Sequence, residues 1–341
     1  MSAVQFGVGF APNLPARHVI AAAQQAERLG YDIFWLTDSH LAAREAMVML
    51  GALAVSTERI HLGPGVSHLA GRHPSVIASA MATLDELAPG RIRLGIGVGD
   101  SGPLNLGVRR TSLRELEEAI IAIRDLMQGR ETSGAMRPLK LVFGSPERRV
   151  PIYVAGSAER THRLTGRVAD GALISGIPDQ LPSSIANVRA GEREAGRSEN
   201  VTRILFWTTV AVDEDRAAAR AAVRGSVARR ALNSLRKPAR AGELDADDQH
   251  ALERLQAAHD QGDLLASDYS DLVPESWTDR FAVAGTPDEV RQRLERAIAQ
   301  GAQEISTILI APRLGERGGG DQLTRFAETV MAPMRARRSL H

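Results

Sequence analysis

Short apolar runs alternate along the chain with longer stretches in which apolar positions recur every three to four residues. Residues 4–10, 33–36, 60–66, 92–97, 151–155, 172–175, 204–212 and 305–310 read as strands. Each is a brief apolar run bounded by Gly, Pro or polar residues. Helical patterns lie between them, at 15–30, 45–55, 74–87, 112–127, 158–167, 181–195, 286–300 and 323–335. In the first, Val19, Ile20, Ala23, Ala26 and Leu29 make one stripe, and Gly30 suits the helix end. Thr286-Pro287-Asp288-Glu289 is a helix start, with an N-cap hydroxyl, Pro at the first position and Glu at the third.

Near-continuous apolar strands joined by helices imply a parallel sheet covered on both faces. Eight such βα units favour a (β/α)8 barrel over an open doubly wound sheet with an appended helical domain. Two stretches interrupt the rhythm. Residues 130–149 carry Gly134, Pro138, Gly144 and Pro146 and suggest a short hairpin around 139–143. Residues 213–280, rich in Ala, Arg, Asp and Glu, suggest two or three exposed helices before the last βα unit. The expectation is one barrel domain over 1–341 with a helical insertion at 213–280, placed as a lid, a specificity element or a dimerisation feature.

Composition narrows the function more than the fold. Hydrophobic residues make up 43% of the 341 and charged residues 24%, which excludes wholesale disorder. Lys+Arg is 42 against Asp+Glu 41, so the basic excess of a nucleic-acid protein is missing. There is no cysteine, which removes disulfides, thiolate metal sites, iron–sulfur clusters and a thiol nucleophile. The first basic residue is Arg17 and no apolar run is long enough to span a bilayer. A cytoplasmic protein without membrane or nucleic-acid partners is expected.

Candidate chemistry sits at strand ends. Thr37-Asp38-Ser39-His40 closes the second strand, where barrel enzymes keep reactive groups. His40 suits proton transfer and Asp38 can orient it, unless Asp38 only caps the next helix. Gly63-Pro64-Gly65-Val66-Ser67-His68 closes the third strand and suggests a bulge. His61, His68 and His73 are near one another along the chain, but no HExxH or two-His–carboxylate spacing occurs, and no metal is expected. Gly95-Ile96-Gly97-Val98-Gly99-Asp100 departs from the dinucleotide fingerprint at Asp100. It reads better as backbone approached closely by a flat ring, with Asp100 aimed into the mouth. Gly156-Ser157-Ala158 joins a strand to a helix, where N–H groups converge on an anion or simply form a capping turn. No GxSxG or GxxxxGK[ST] motif is present.

Taken together, the stretch GPGVSHLAGRHPSVIASAMATLDELAPGRIRLGIGVGD at residues 63–100 resembles the luciferase-like monooxygenase superfamily. Within it, the chain resembles the methylenetetrahydromethanopterin reductase-like branch that uses the deazaflavin coenzyme F420. Supporting segments are Phe6-Gly7-Val8, Phe10-Ala11-Pro12-Asn13, Trp35-Leu36-Thr37-Asp38, Ile152-Tyr153-Val154-Ala155-Gly156, Val168-Ala169-Asp170-Gly171 and Ala284-Gly285-Thr286-Pro287. The resemblance implies a barrel of the bacterial luciferase type, a homodimer, and a coenzyme lying across the strand ends. It implies a cis peptide at Gly65–Val66 behind the coenzyme ring and the coenzyme phosphate on Gly156 and Ser157. Ser67, Gly97, Gly99 and Gly176 complete the expected coenzyme contacts, and Asp38, His40 and Asp100 the catalytic ones. Two departures stand out: Gly9 lies where those reductases carry Glu, and Ser39 intervenes between Asp38 and His40.

The function implied is hydride transfer between coenzyme F420 and a small imine, enone or alcohol. An alternative keeps the fold but binds FMN, giving a monooxygenase served by a separate flavin reductase. A third is a barrel that binds a ligand without turnover.

Overall fold

The computed structural model describes residues 4–134, 137–175, 181–261, 269–310 and 320–338. Parallel strands run in chain order as β1 (Gln5–Phe10), β2 (Ile33–Leu36), β3 (His61–Pro64), β4 (Ser67–His68), β5 (Leu94–Gly97), β6 (Ile152–Gly156), β7 (Gly171–Ser175), β8 (Arg203–Val212), β9 (Ala282–Gly285) and β10 (Glu304–Leu309). Their lateral order is β3-β2-β1-β10-β8-β7-β6-β5-β4, with β9 beside β8 off this path. Because β3 and β4 are two halves of one stave, the order returns on itself. Leu62 of β3 bridges Ile92, and Ser67 of β4 pairs Ile96 of β5. The sheet is therefore a barrel.

Helices cover its outside: α1 (Ala16–Arg28), α2 (Ala46–Ser56), α3 (Pro74–Leu87), α4 (Ser101–Asn105), α5 (Leu113–Met127), α6 (Glu159–Val168) and α7 (Leu181–Glu194). Then come α8 (Arg216–Ser234), α9 (Arg236–Arg240), α10 (Ala246–Gln261), α11 (Glu275–Phe281), α12 (Pro287–Ala299), α13 (Gly320–Phe326) and α14 (Ala332–Arg338), the last two joined by a π turn at Ala327–Met331. Capping boxes start α5 at Ser112–Glu115 and α12 at Thr286–Glu289. Each satisfies orphan N–H groups of the first turn.

Ile33, Trp35, Tyr153, Leu173, Leu205 and Trp207 fill the barrel interior. The indole N–H of Trp35 is satisfied there by Ser306 Oγ at 3.0 Å. At the N-terminal end of the strands, buried Glu304 accepts from Arg93 (2.8 Å), Tyr153 (2.8 Å) and Arg203 (2.6 Å). That end is closed by structural charge pairing, the usual division of labour in this architecture.

Four expectations need correction. The third strand is not continuous over 60–66 but is interrupted at the Gly65–Val66 bond, which is cis as the resemblance implied. A strand at 282–285 was not anticipated. Its short Ala-Val-Ala-Gly run reads as a lead into the next helix, yet it pairs with β8 from Thr209↔Ala282 to Val212↔Gly285. The helices of 213–280 are not simply exposed: Ala219, Val223, Val227 and Ala231 repeat at helical spacing and pack with Leu252, Trp277 and Phe281. Alanine-rich composition hid that stripe. The hairpin expected around 139–143 reduces to one antiparallel bridge between Thr132 and Leu139.

Candidate functional site

A cleft of about 950 Å³ opens at the C-terminal end of the strands. Its walls are Gly9 and Phe10 of β1, Val66, residues 97–100, residues 155–157, Trp207 of β8 and residues 308–310. Helix α8 closes the outer side with Ser226, Arg229, Arg230 and Ser234. Burial pushes the Arg230 guanidinium down to about 10, which still leaves it charged at neutral pH.

Glycines let backbone and rings approach here. A Cβ on Gly9 would fall 2.5 Å from Cζ2 of Trp207, and one on Gly65 would fall 2.9 Å from Cβ of Trp35. The Trp207 indole thus occupies the space that a side chain at position 9 would need. Gly99 has φ +80°, a conformation that favours glycine.

Helix α6 has Ala158 as its N-cap residue and no side-chain cap, so its first N–H groups are left without the usual side-chain oxygen acceptor. The fold around it is fixed from behind. Burial lowers the His162 pKa, so its neutral ring donates Nε2–H to the Gly156 carbonyl at 3.2 Å.

A second group lies just behind the wall at residues 97–100. Asp38 is buried and its Oδ2 accepts from Ser67 Oγ at 2.9 Å and from Arg72. Arg72 also binds Glu45, which caps α2 through the Val48 N–H. Burial opposes the Arg72 charge, but Asp38 and Glu45 outweigh it and hold its pKa above the ordinary value. The rings of His40 and His68 are 5.1 Å apart. Desolvation lowers the His68 pKa. Asn105 of α4 donates to the His40 carbonyl at 2.6 Å, and Ser39 and Ser101 hydroxyls meet at 2.8 Å. Helix α4 is thereby tied to the end of β2.

Of the residues expected from sequence, Val66, Gly97, Gly99, Asp100, Gly156 and Ser157 line the cleft together. Gly65 sits beneath it against the two tryptophans. Asp38, His40 and Ser67 form the group behind the wall rather than the cleft lining. Asp100 is exposed and paired with Arg110. Gly176 lies outside the described residues. Asp38 caps no helix, since Glu45 takes that place on α2. Sequence reasoning did not single out Arg72, Trp207, Arg229 or Arg230, and noted His68 only for its position along the chain. Strand adjacency was the available signal for His68, because the ends of β2 and the β3–β4 stave are neighbours.

A cavity of about 470 Å³ lies at the opposite end, among Gln5, His61, Arg93, Arg149, Tyr153 and Arg203. Glu304 already occupies the Arg93 and Arg203 side chains there.

The family model described as luciferase-like monooxygenase matches residues 3–304. The chain is 30% identical over 308 residues to a 5,10-methylenetetrahydromethanopterin reductase of Methanolobus tindarius, covering 88% of this chain and 92% of that one. It is 31% identical to an F420-dependent glucose-6-phosphate dehydrogenase of Beutenbergia cavernae, covering 96% and 95%. In fold it is similar to the coenzyme F420-dependent tetrahydromethanopterin reductase from Methanopyrus kandleri, with a TM-score of 0.81 at 22% identity over 97% of this chain and 99% of that one.

Proposed function

The chain belongs to the luciferase-like monooxygenase family, and we propose that it is an oxidoreductase that uses coenzyme F420 to move a hydride to or from a small imine, enone or alcohol. The observation that carries this reading is the uncapped N-terminus of α6 opening on the same glycine-rich cleft as Val66. Relatives of 30–31% identity named for coenzyme F420 or for methylenetetrahydromethanopterin reduction support it.

Bound coenzyme F420 supplies a ring carbon that gives or takes a hydride. Everything else falls to this chain. Gly156 and Ser157 hold the phosphate on backbone N–H groups at the positive end of α6. Val66 supports the ring from behind, with Gly65 leaving room for Trp35 and Trp207 beneath it. Gly97, Gly99 and, from sequence, Gly176 complete the coenzyme contacts, whereas Ser67, expected among them, is buried behind the wall and holds Asp38. His40 handles the proton beside the Asp38 carboxylate, which Ser67 and Arg72 fix in place. Asp100 contacts substrate or ring at the mouth. Residues 213–280 act within the one barrel domain as the outer wall of the cleft, through the α8 side chains that line it.

The floor of the cleft argues for a substrate other than methylenetetrahydromethanopterin. With Trp207 in place, no carboxylate side chain fits at position 9.

The test is titration of the coenzyme-free protein with coenzyme F420 and, separately, FMN, followed by fluorescence. Saturable micromolar binding of coenzyme F420 with FMN much weaker is the expected result. Tight FMN binding alone would overturn the assignment in favour of oxygen chemistry with a partner reductase. Binding of neither would refute the coenzyme site.

A further inference from the structure

Two imidazoles at the barrel mouth have buried ring nitrogens with no hydrogen-bond partner among the described residues. His68 is 2% exposed, and neither its Nδ1 nor its Nε2 has a hydrogen-bond partner. Nδ1 of His40 is likewise buried and unpartnered. Leaving a buried polar atom unmatched is costly. Three such atoms on two neighbouring rings call for a specific explanation.

The ligand atoms of Asp38, His40 and His68 all lie within 4.8 Å of one another. We infer that these three side chains form a binding site for a first-row divalent metal ion of the zinc type. Two imidazoles and one carboxylate are a donor set that such ions accept. Bonds of about 2.1 Å in tetrahedral geometry place ligand atoms roughly 3.4 Å apart. The trio therefore closes on an ion by side-chain rotations that move each ligand atom by about an ångström or less.

The surroundings fit that use. Ser67 and Arg72 hold the Asp38 carboxylate by hydrogen bonds, as outer partners of metal-binding carboxylates do. Arg72 does not cancel the charge, because Glu45 shares it: two carboxylates face one guanidinium. Each ring is seated against a glycine. A Cβ on Gly102 would fall 2.0 Å from His68 Nε2, and one on Gly71 would fall 2.7 Å from His40 Cε1. His40 is only half-buried, which leaves a coordination position toward solvent. Spacing along the chain conceals the set, since two ligands come from the end of β2 and the third from β4. An ion here would occupy the imidazole assigned above to proton handling, so it would inhibit that chemistry.

The experiment needs no coenzyme, so its failure is separable from failure of the coenzyme assignment. Metal-stripped full-length protein is titrated with Zn²⁺ by calorimetry, and with Co²⁺ as a spectroscopic probe. The expected result is one ion per chain at micromolar or tighter affinity, with the visible absorption of nitrogen-ligated Co²⁺. His68→Ala and His40→Ala each abolish the one-to-one event, with folding checked by circular dichroism. Ser67→Ala keeps all three ligands and weakens binding about tenfold. His18→Ala, at an exposed position on α1, changes nothing. Should His68→Ala fail to fold, the half-exposed His40→Ala decides. Millimolar binding only, or stoichiometric binding that survives the histidine substitutions, would overturn the site.

Discussion

Substituting Gly9→Ala tests whether Trp207 really sets the floor of the cleft. The new Cβ would lie 2.5 Å from Cζ2 and 2.6 Å from Cη2 of the indole. Carbon atoms in contact prefer about 3.5–4.0 Å, so the indole must retreat by about 1 Å. It has little room, because the indole already packs edge-on against Trp35, with ring centroids 6.4 Å apart, and is 8% exposed. Overpacking of this kind costs about 1–3 kcal/mol. Reduced freedom of the unfolded chain returns about 0.4–1 kcal/mol. The clash wins, and the net loss is about 1–2 kcal/mol. In a Trp207→Phe background the clashing atoms are gone, so Gly9→Ala should be neutral or slightly stabilising. The two effects are compared by urea denaturation monitored by circular dichroism, reading the midpoint at constant slope. A coupling of about 1 kcal/mol or more is expected. If Gly9→Ala costs the same in both backgrounds, within about 0.5 kcal/mol, the indole does not fill the space above position 9 and the argument about the substrate falls.

Glu304→Gln leaves two arginines and a tyrosine around a neutral amide, and should destabilise the fold by about 3–5 kcal/mol while leaving coenzyme affinity unchanged; denaturation and ligand titration read the two effects separately. Burial opposes ionisation of Glu27, but N–H groups of residues 58–60 outweigh it and hold its pKa below the usual carboxylate value. The stability it contributes is present above the ordinary carboxylate pKa and is lost as pH falls through the lowered one, so Glu27→Gln should flatten the acid limb of a stability–pH curve. His162 acts in an earlier window. Burial depresses its folded pKa, so the unfolded chain binds the proton first, and stability falls as pH drops below about 6.5. His162→Gln should remove that part of the slope, and an unchanged slope would show that the ring titrates freely in the fold.

The barrel was legible because its staves are apolar runs and its helices carry their caps in the sequence. Thr286 and Glu289 announce α12 without any tertiary information. The glycines of the cleft were legible for the same local reason, since backbone approach needs a missing side chain. Two kinds of feature escaped. The stripe Val223–Val227–Ala231 was diluted by alanine and arginine, and only packing against Trp277 and Phe281 reveals it. The grouping of Asp38 with His68 and Arg72 depends on the side-by-side packing of β2 and the β3–β4 stave, which neither run shows by itself.

The lateral order of the sheet has a consequence for synthesis. β10 fits between β1 and β8, so the first stave waits for one made some three hundred residues later. The C-terminal helices then fasten the opening βα unit: Tyr31 donates to the Leu323 carbonyl at 2.9 Å, and Arg335 reaches Asp32 at 2.7 Å. Until residues 304–309 leave the ribosome, the nascent chain carries two unpaired edges, along β1 and β8, of the sort that invite pairing with another chain. Closure is a contact of very long sequence separation and comes late by its entropy alone. The interval just before the last stave arrives is therefore the one in which both of these edges stand open.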